Sequence, residues 1–329
     1  FTLSRGQRTG AVKAKLNRMP CIAANGVLVL IPSALFLASR ARVSEFDAMF
    51  YAVQWIELVA GAVNIALLSL STRDGMALTA WRRKSFLRPA SAYSTTVRSI
   101  EHVATDTISV HLAKPVGFEF RAGQAVYVTL PTSPTPDAKG NVRTFSIASA
   151  PGDPDLVLAT RRTESSFKRA LAALSPGSTV DIEGPYGDLV LHRDSAVPAV
   201  LLAGGVGITP FRSMVMDAIA RNLPHQLILF YSNRRPEDAA FLSELRELAR
   251  RHPQFRMVTT ITEPEKPGVA WNGERGVVTG EMLAKHIVDL KNAVYYVAGP
   301  PSMVQAMQKL LDEAGVSSRN VRAERFAGY

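Results

Sequence analysis

The stretch CIAANGVLVLIPSALFLAS, residues 21–39, contains no charged side chain, and MFYAVQWIELVAGAVNIALLSL, residues 49–70, contains only Glu57. Each is close to the ~20 apolar residues that carry a helix across the hydrocarbon core of a bilayer. Lipid offers backbone N–H and C=O groups no partner, so an apolar segment of this length satisfies them as helix. The pair predicts a transmembrane hairpin. The competing reading, two helices buried in a soluble core, fits such lengths less well. A cleaved signal peptide would account for the first run but not the second.

Charge supports the hairpin and orients it. Of the net +10, residues 1–88 hold +8 (twelve Lys/Arg against four acids), which leaves +2 for residues 89–329. Basic charge gathered around two apolar runs fits anionic lipid and argues against nucleic acid as a partner. Arg5, Arg8, Lys13, Lys15 and Arg18 precede the first run, and Arg82, Arg83, Lys84 and Arg88 follow the second. The loop 40–48 balances Arg40 and Arg42 with Glu45 and Asp47. By the positive-inside rule both ends are cytoplasmic, so the reading is an integral membrane protein whose two-span anchor holds the soluble domains in the cytoplasm.

No histidine occurs before His102, which argues against a haem held between the spans by histidines. The single cysteine, Cys21, excludes an internal disulfide and a four-cysteine iron–sulfur or zinc site within these residues. No metal site is expected. Gln54, Glu57, Gly61 and Asn64 recur at helical spacing and share one face. We read that face as a helix-packing surface, with pairing of helices in an oligomer or with a membrane partner as its purpose.

The pattern changes after the spans. TTVRSIEHV, TISVHLAKP, QAVYVTLP, RTFSIAS and DLVLATRR are rich in β-branched and aromatic residues, and Pro/Gly loops separate them. One short helical segment, SSFKRALAALSPG, and a further strand, STVDIEGPYGDLVLH, follow. Many short strands with one small helix predict a closed antiparallel β-barrel over residues 89–195. From residue 196 to 329, strands such as PAVLLAGG, HQLILFYSNR and NAVYYVAGP alternate with apolar-faced helices, which predicts a doubly wound parallel α/β domain. Residues 1–88 then form the basic segment and the two spans.

RTFS, residues 143–146, resembles the flavin motif of the ferredoxin–NADP reductase family: an arginine, any residue, an aromatic, then serine. The resemblance implies a flavin against Arg143, Thr144, Phe145 and Ser146. A guanidinium fork suits a nucleotide phosphate. A flat apolar ring suits isoalloxazine. The serine hydroxyl suits flavin N5 or O4, where charge collects on reduction. ESSFKRAL adds Ser165, Phe167 and Lys168 near a helix N-terminus that suits a pyrophosphate, although Thr163 and Glu164 stand where the family often has a glycine. EGPYGDL resembles the turn that ends the flavin domain, with Gly184 and Tyr186 placed toward the cofactor.

LLAGGVGITPFRSM, residues 201–214, closely resembles the nucleotide motif of the same family. It implies Gly204, Gly205, Gly207, Thr209 and Pro210 at a pyrophosphate. In YSNRRPEDAAF, Ser232, Arg234 and Arg235 occupy the position that reads the adenosine ribose. Arginines there suit a 2′-phosphate, so NADPH is favoured over NADH. AGPPSM contributes Gly299, Pro300 and Met303 near the nicotinamide, with Ala298 where the family commonly has cysteine. At the end of the chain, Phe326 is expected to cover the flavin, with Tyr329 as second candidate, and Glu324 to relay a proton.

The expected protein is therefore a membrane-anchored reductase that passes hydride from NADPH or NADH to FAD. It would then pass electrons to a separate acceptor: a ferredoxin, a flavodoxin, a membrane haem or di-iron protein, or a quinone. FMN replaces FAD if no adenine site exists. The alternative is a non-catalytic flavin-binding subunit of a membrane complex.

Overall fold

The computed structural model describes residues 19–20, 22–42, 46–85, 91–130, 140–263 and 271–326. Cys21 and Tyr329, and the basic residues before the first span, lie outside the described residues. Two compact units divide the chain, one up to Pro89 and one from Ala90 onward.

The first unit contains helix α1, Ile22–Arg42, and helix α2, Ala48–Ser85. Within α1, Gly26–Leu30 is a π-helical turn. Both helices are long and apolar enough to cross a membrane by length and composition, over Ile22–Arg42 and Ala48–Ser71. The second helix runs past the apolar segment that defined it in the sequence: no proline lies between residues 70 and 85, and the single Gly75 does not end it. Asn25 donates to the Ala60 carbonyl of the other helix at 2.9 Å, and Ser33 and Ser71 are buried. Glu57, Gly61 and Asn64 lie on this half-covered side, whereas Gln54 is exposed. Gly61 is not a point of close approach, since a Cβ there would meet nothing within 4 Å; Ala60 makes the buried contact.

The second unit begins with β1 (Ser91–Ala104), β2 (Thr107–Ala113), β3 (Ala125–Thr129), β4 (Val142–Ser146) and β5 (Asp155–Arg161). Helix α3 (Ser166–Ala172) and β6 (Thr179–Tyr186) follow. These strands form one antiparallel sheet in the order β4-β3-β6-β1-β2-β5. β1 belongs to both halves: its first residues pair with β6, and after a register shift near Val97–Ser99 it pairs with β2. Alternation in β6 buries Val180, Ile182 and Gly184 and exposes Thr179, Asp181 and Glu183, as expected for a strand with one face on a core.

The expected closed barrel is not formed. Between the outermost strands β4 and β5 there is only the isolated bridge Ile147↔Leu158. The two strands diverge before that point around a cleft that residues 143–146 line from one side and residues 159–161 from the other.

The chain continues through β7 (Ala199–Gly204), α4 (Thr209–Ala220), β8 (Leu227–Asn233), α5 (Leu242–Arg251), β9 (Phe255–Ile261) and β10 (Glu274–Arg275). It ends with α6 (Gly280–His286), β11 (Val294–Gly299), α7 (Pro301–Glu313) and β12 (Val321–Arg325). The six strands form a parallel sheet in the order β10-β9-β8-β7-β11-β12. Alternate residues of a strand supply opposite cores. Leu201, Ala203, Leu229 and Tyr231 pack with Phe211 and Met214 of α4 and Leu245 of α5. Val200, Leu202, Ile228 and Phe230 pack with Leu283 of α6 and Val304 and Leu311 of α7. Burial on both faces explains why these strands read as continuous apolar runs in the sequence.

Candidate functional site

Two clefts meet where the antiparallel and parallel sheets join. The smaller, about 110 Å³, sits in the open seam. Its walls are Arg143, Thr144, Phe145 and Ser146 of β4, Ala159 to Arg161 of β5, Lys168 of α3, and Val206, Thr209 and Phe326 from the parallel domain. The Arg143 guanidinium donates to the carbonyls of Gly140 (2.9 Å) and Val142 (2.8 Å) and lies over the Phe167 ring at 5.0 Å. Phe145 is mostly turned into the sheet core, 6.0 Å from Phe167, and offers the cleft only part of its ring. With seven residues, α3 has a weak field at its N-terminus, so Arg143 and Lys168 carry most of the positive charge available to a phosphate.

Ser146 is buried and its hydroxyl donates toward both carboxyl oxygens of Glu324, each at 3.5 Å. Strand β12 delivers that carboxyl to the end of the sheet. Burial pushes the Glu324 carboxyl up to about 7; nearby Asp188 adds to the rise, and the Ser146 hydrogen bond opposes it. An acid that changes protonation near neutrality thus sits beside a buried hydroxyl in the seam.

The larger cleft, about 750 Å³, opens at the carboxyl ends of β7, β8 and β11. That is where open parallel α/β sheets bind ligands. Gly204, Gly205, Val206, Ser232, Asn233, Arg234, Asp238, Pro300 and Met303 line it, as do Thr105, Thr107 and Arg161 from the antiparallel domain. Gly205 has φ +53°, the left-handed region that starts the turn into α4. A Cβ at Gly207 would lie 2.2 Å from the Ala298 carbonyl oxygen, so this glycine lets the turn pack on β11. Thr209 donates its hydroxyl to the Val206 carbonyl at 3.1 Å, and Pro210 occupies the first turn of α4. Val206 and Arg161 border both clefts.

Residues 92–190 match the FAD-binding domain family and residues 201–309 the oxidoreductase NAD-binding domain family. Ferredoxin–NADP reductase B of Sorangium cellulosum is 32% identical over 232 residues, which cover 67% of this chain and 90% of that protein. The chain belongs to the ferredoxin–NADP reductase family. Reductase component 2 of terephthalate 1,2-dioxygenase from Comamonas is 29% identical over 250 residues, 74% of this chain and 69% of that one. Among solved structures, the cytochrome P450 reductase of Amycolatopsis superposes with TM-score 0.61 at 27% identity, covering 72% of this chain and 71% of that one. A Neisseria gonorrhoeae ferredoxin–NADP reductase with bound FAD and NADP shares the fold, with TM-score 0.60 at 20% identity, over 72% of this chain and 99% of that one.

The protein is an NAD(P)H-dependent FAD oxidoreductase. The donor set fits both groups: cations, a hydroxyl and aromatic surface in the seam, and a glycine turn with polar side chains in the larger cleft. Other sequence candidates of the reductase fall outside these walls. The Tyr186 hydroxyl donates to Glu183 and its ring packs on Tyr127 at 4.8 Å; burial raises its pKa. Arg235 pairs with Glu237 (3.6 Å) and Asp238 (3.4 Å) and does not line the cleft, whereas Arg234 does. Ser165 stands at the N-cap position of α3 without a side-chain capping bond, and Phe167 lies beneath Arg143. Gly184 is packed on Val126, and Gly299 sits beside Gly204.

Sequence reasoning missed Thr105, Thr107 and Arg161. They come from the antiparallel domain but border the nucleotide cleft. The doubled arginine at the end of DLVLATRR was the one available signal.

Proposed function

We propose that this reductase draws electrons from NAD(P)H and delivers them to a separate acceptor protein at a membrane. The observation that carries the electron path is the wall shared by the two clefts, Val206 and Arg161. A bound FAD would supply the two-electron acceptor for nicotinamide hydride and the means of passing electrons onward. Arg143 and Lys168 hold the flavin diphosphate, and Phe326 covers the ring. Ser146 donates to the flavin edge, and Glu324 holds and returns a proton through the Ser146 hydroxyl at neutral pH, as its raised pKa allows. Gly204 and Gly205 bring backbone N–H groups to the nicotinamide nucleotide. Arg234 takes the 2′-phosphate without Arg235, which Glu237 and Asp238 already neutralise, and NADPH remains the favoured donor.

Several relatives are reductase components of oxygenase systems and one is a ferredoxin–NADP reductase, and a separate ferredoxin or an oxygenase component is the acceptor class they support. Membrane attachment is supported by a hairpin that is polar inside and apolar outside, with Leu28, Leu35, Trp55 and Ile65 each at least 68% exposed. Such a surface is stable in lipid and costly in water. The cations flanking the spans in the sequence support a cytoplasmic side for the reductase domains by the positive-inside rule.

The test is anaerobic stopped-flow absorbance of the full chain in detergent, with NADPH and NADH in turn, followed by addition of a ferredoxin or of a quinone in vesicles. Loss of the oxidised-flavin band, faster with NADPH, and reoxidation by the protein acceptor are expected. A flavin that neither nucleotide reduces, or reoxidation only by quinone, would overturn the reading.

A further inference from the structure

Hydride transfer requires the reacting atoms of two cofactors to approach within about 3–3.5 Å, and a misplacement of about 1 Å costs on the order of 100-fold in rate. In this protein one cleft lies chiefly on the antiparallel domain and the other chiefly on the parallel domain. The contact between the domains therefore sets the approach. At that contact stands Arg212, on the first turn of α4, with a side chain only 11% exposed.

Its guanidinium is used on every side. Nε and Nη2 donate to the two carboxyl oxygens of Glu244 on α5, each at 2.7 Å. Nη1 donates to the Ala148 carbonyl at 2.7 Å, and the plane lies 4.7 Å from the Phe241 ring centre. Phe241 holds a left-handed backbone, φ +58°, just before α5. The neighbouring Ser213, fully buried, donates to the Ser149 carbonyl at 2.6 Å.

Ala148 lies two residues beyond Ser146 and is itself anchored to β5 by its N–H to Val157, 2.7 Å. Thr209, three residues before Arg212, lines the flavin cleft from the other domain. Arg212 thus ties the end of the flavin strand to the first turn of the nucleotide helix. Only a planar fork supplies a bidentate carboxylate pair and a third, carbonyl-directed donor at once.

We propose that Arg212, braced by Glu244, is a positioning residue that holds the nicotinamide and flavin clefts in hydride-transfer register. The proposal rests on the assignment of the two clefts given above.

The experiment uses the full chain with Cys21→Ser, Val116→Cys and Val288→Cys. The last two are fully exposed positions on the two domains, 100% and 108% exposed. Spin labels there report the interdomain distance distribution. Arg212→Ala is expected to broaden that distribution and to slow flavin reduction at saturating nucleotide by about tenfold or more, with FAD content and nucleotide Kd within about threefold of the parent. Arg212→Lys recovers part of the rate, and Ser213→Ala shows the same changes in smaller measure. An unchanged distance distribution, or a loss carried entirely by Kd, overturns the proposal. If Arg212→Ala does not fold, Ser213→Ala decides by the same two readouts. Parent protein whose flavin is not reduced by NAD(P)H defeats the cleft assignment instead, a separate and recognisable failure.

Discussion

The hairpin and the reductase unit solve the same problem with opposite patterns. In the reductase unit side chains such as Leu201, Phe230 and Tyr295 are fully buried. In the hairpin Leu28 and Trp55 are 73% and 69% exposed, while Ser33 and Ser71 are buried and Asn25 bonds across to the other helix. Water drives the first arrangement by excluding apolar surface. In lipid that drive between helices disappears, and packing with interhelical hydrogen bonds is left to hold a pair together. The difference teaches that exposure alone has no meaning until the solvent is named.

The largest effect should break the comparison directly. Leu35→Arg places a charge on the outward face of the hairpin and should cost about 3 kcal/mol of insertion free energy. The variant should appear in the carbonate-soluble fraction while its flavin is still reduced. The parallel change in the reductase unit, Val116→Arg at a fully exposed position, should stay within about 0.5 kcal/mol by thermal unfolding. Equal tolerance of both would mean that the hairpin surface does not face lipid.

Arg143→Ala tests whether the reductase unit binds its flavin through charge. Losing charge-assisted bonds worth about 2 kcal/mol should weaken FAD by roughly 30-fold, measured as flavin retained through dialysis. Full retention would remove Arg143 from the phosphate.

Glu324 sharpens the comparison from the interior. Its carboxyl rises from the ordinary 4.5 to about 7, so the folded protein holds that proton more tightly than the unfolded chain does. Its contribution is fully present below pH 4.5 and is lost as pH rises through about 7. Because the group is partly exposed, the change should amount to about 1–3 kcal/mol. Glu324→Gln should flatten the fall in Tm between pH 5 and pH 8 and remove the matching inflection from the rate profile. An unaltered profile would take the proton-relay role from Glu324.

The smallest effect separates two adjacent arginines. Arg234→Ala should raise KM for NADPH relative to NADH by about tenfold, near 1.4 kcal/mol, and Arg235→Ala by much less because acids already hold it. Steady-state kinetics with both nucleotides measures the ratio; equal effects from the two variants would remove the distinction.

Much of this protein could be read from local pattern. Uncharged runs announced α1 and α2, the switch from short strands to βαβ announced two domains, and RTFS and GGVGITP announced flavin and nucleotide motifs. These are features a chain shows within a few residues, because helix and strand periodicity and tight turns are local constraints. The seam between β4 and β5 was not legible, since whether a sheet closes depends on strands far apart in sequence. Nor was the orientation of Phe145, which the core claims for most of its ring, or the capture of Arg235 by Glu237 and Asp238. Gly207 was legible as a required glycine, but its reason lies in the Ala298 carbonyl, 91 residues away in the chain. The sequence by itself determined which segments are helix or strand and which chemical groups are present. Only the tertiary structure decided which groups meet: Ser146 with Glu324, Arg212 with Ala148 and Glu244, Arg161 between two clefts. Side-chain charge and hydrogen-bonding capacity are properties of a residue, whereas distance is a property of the fold.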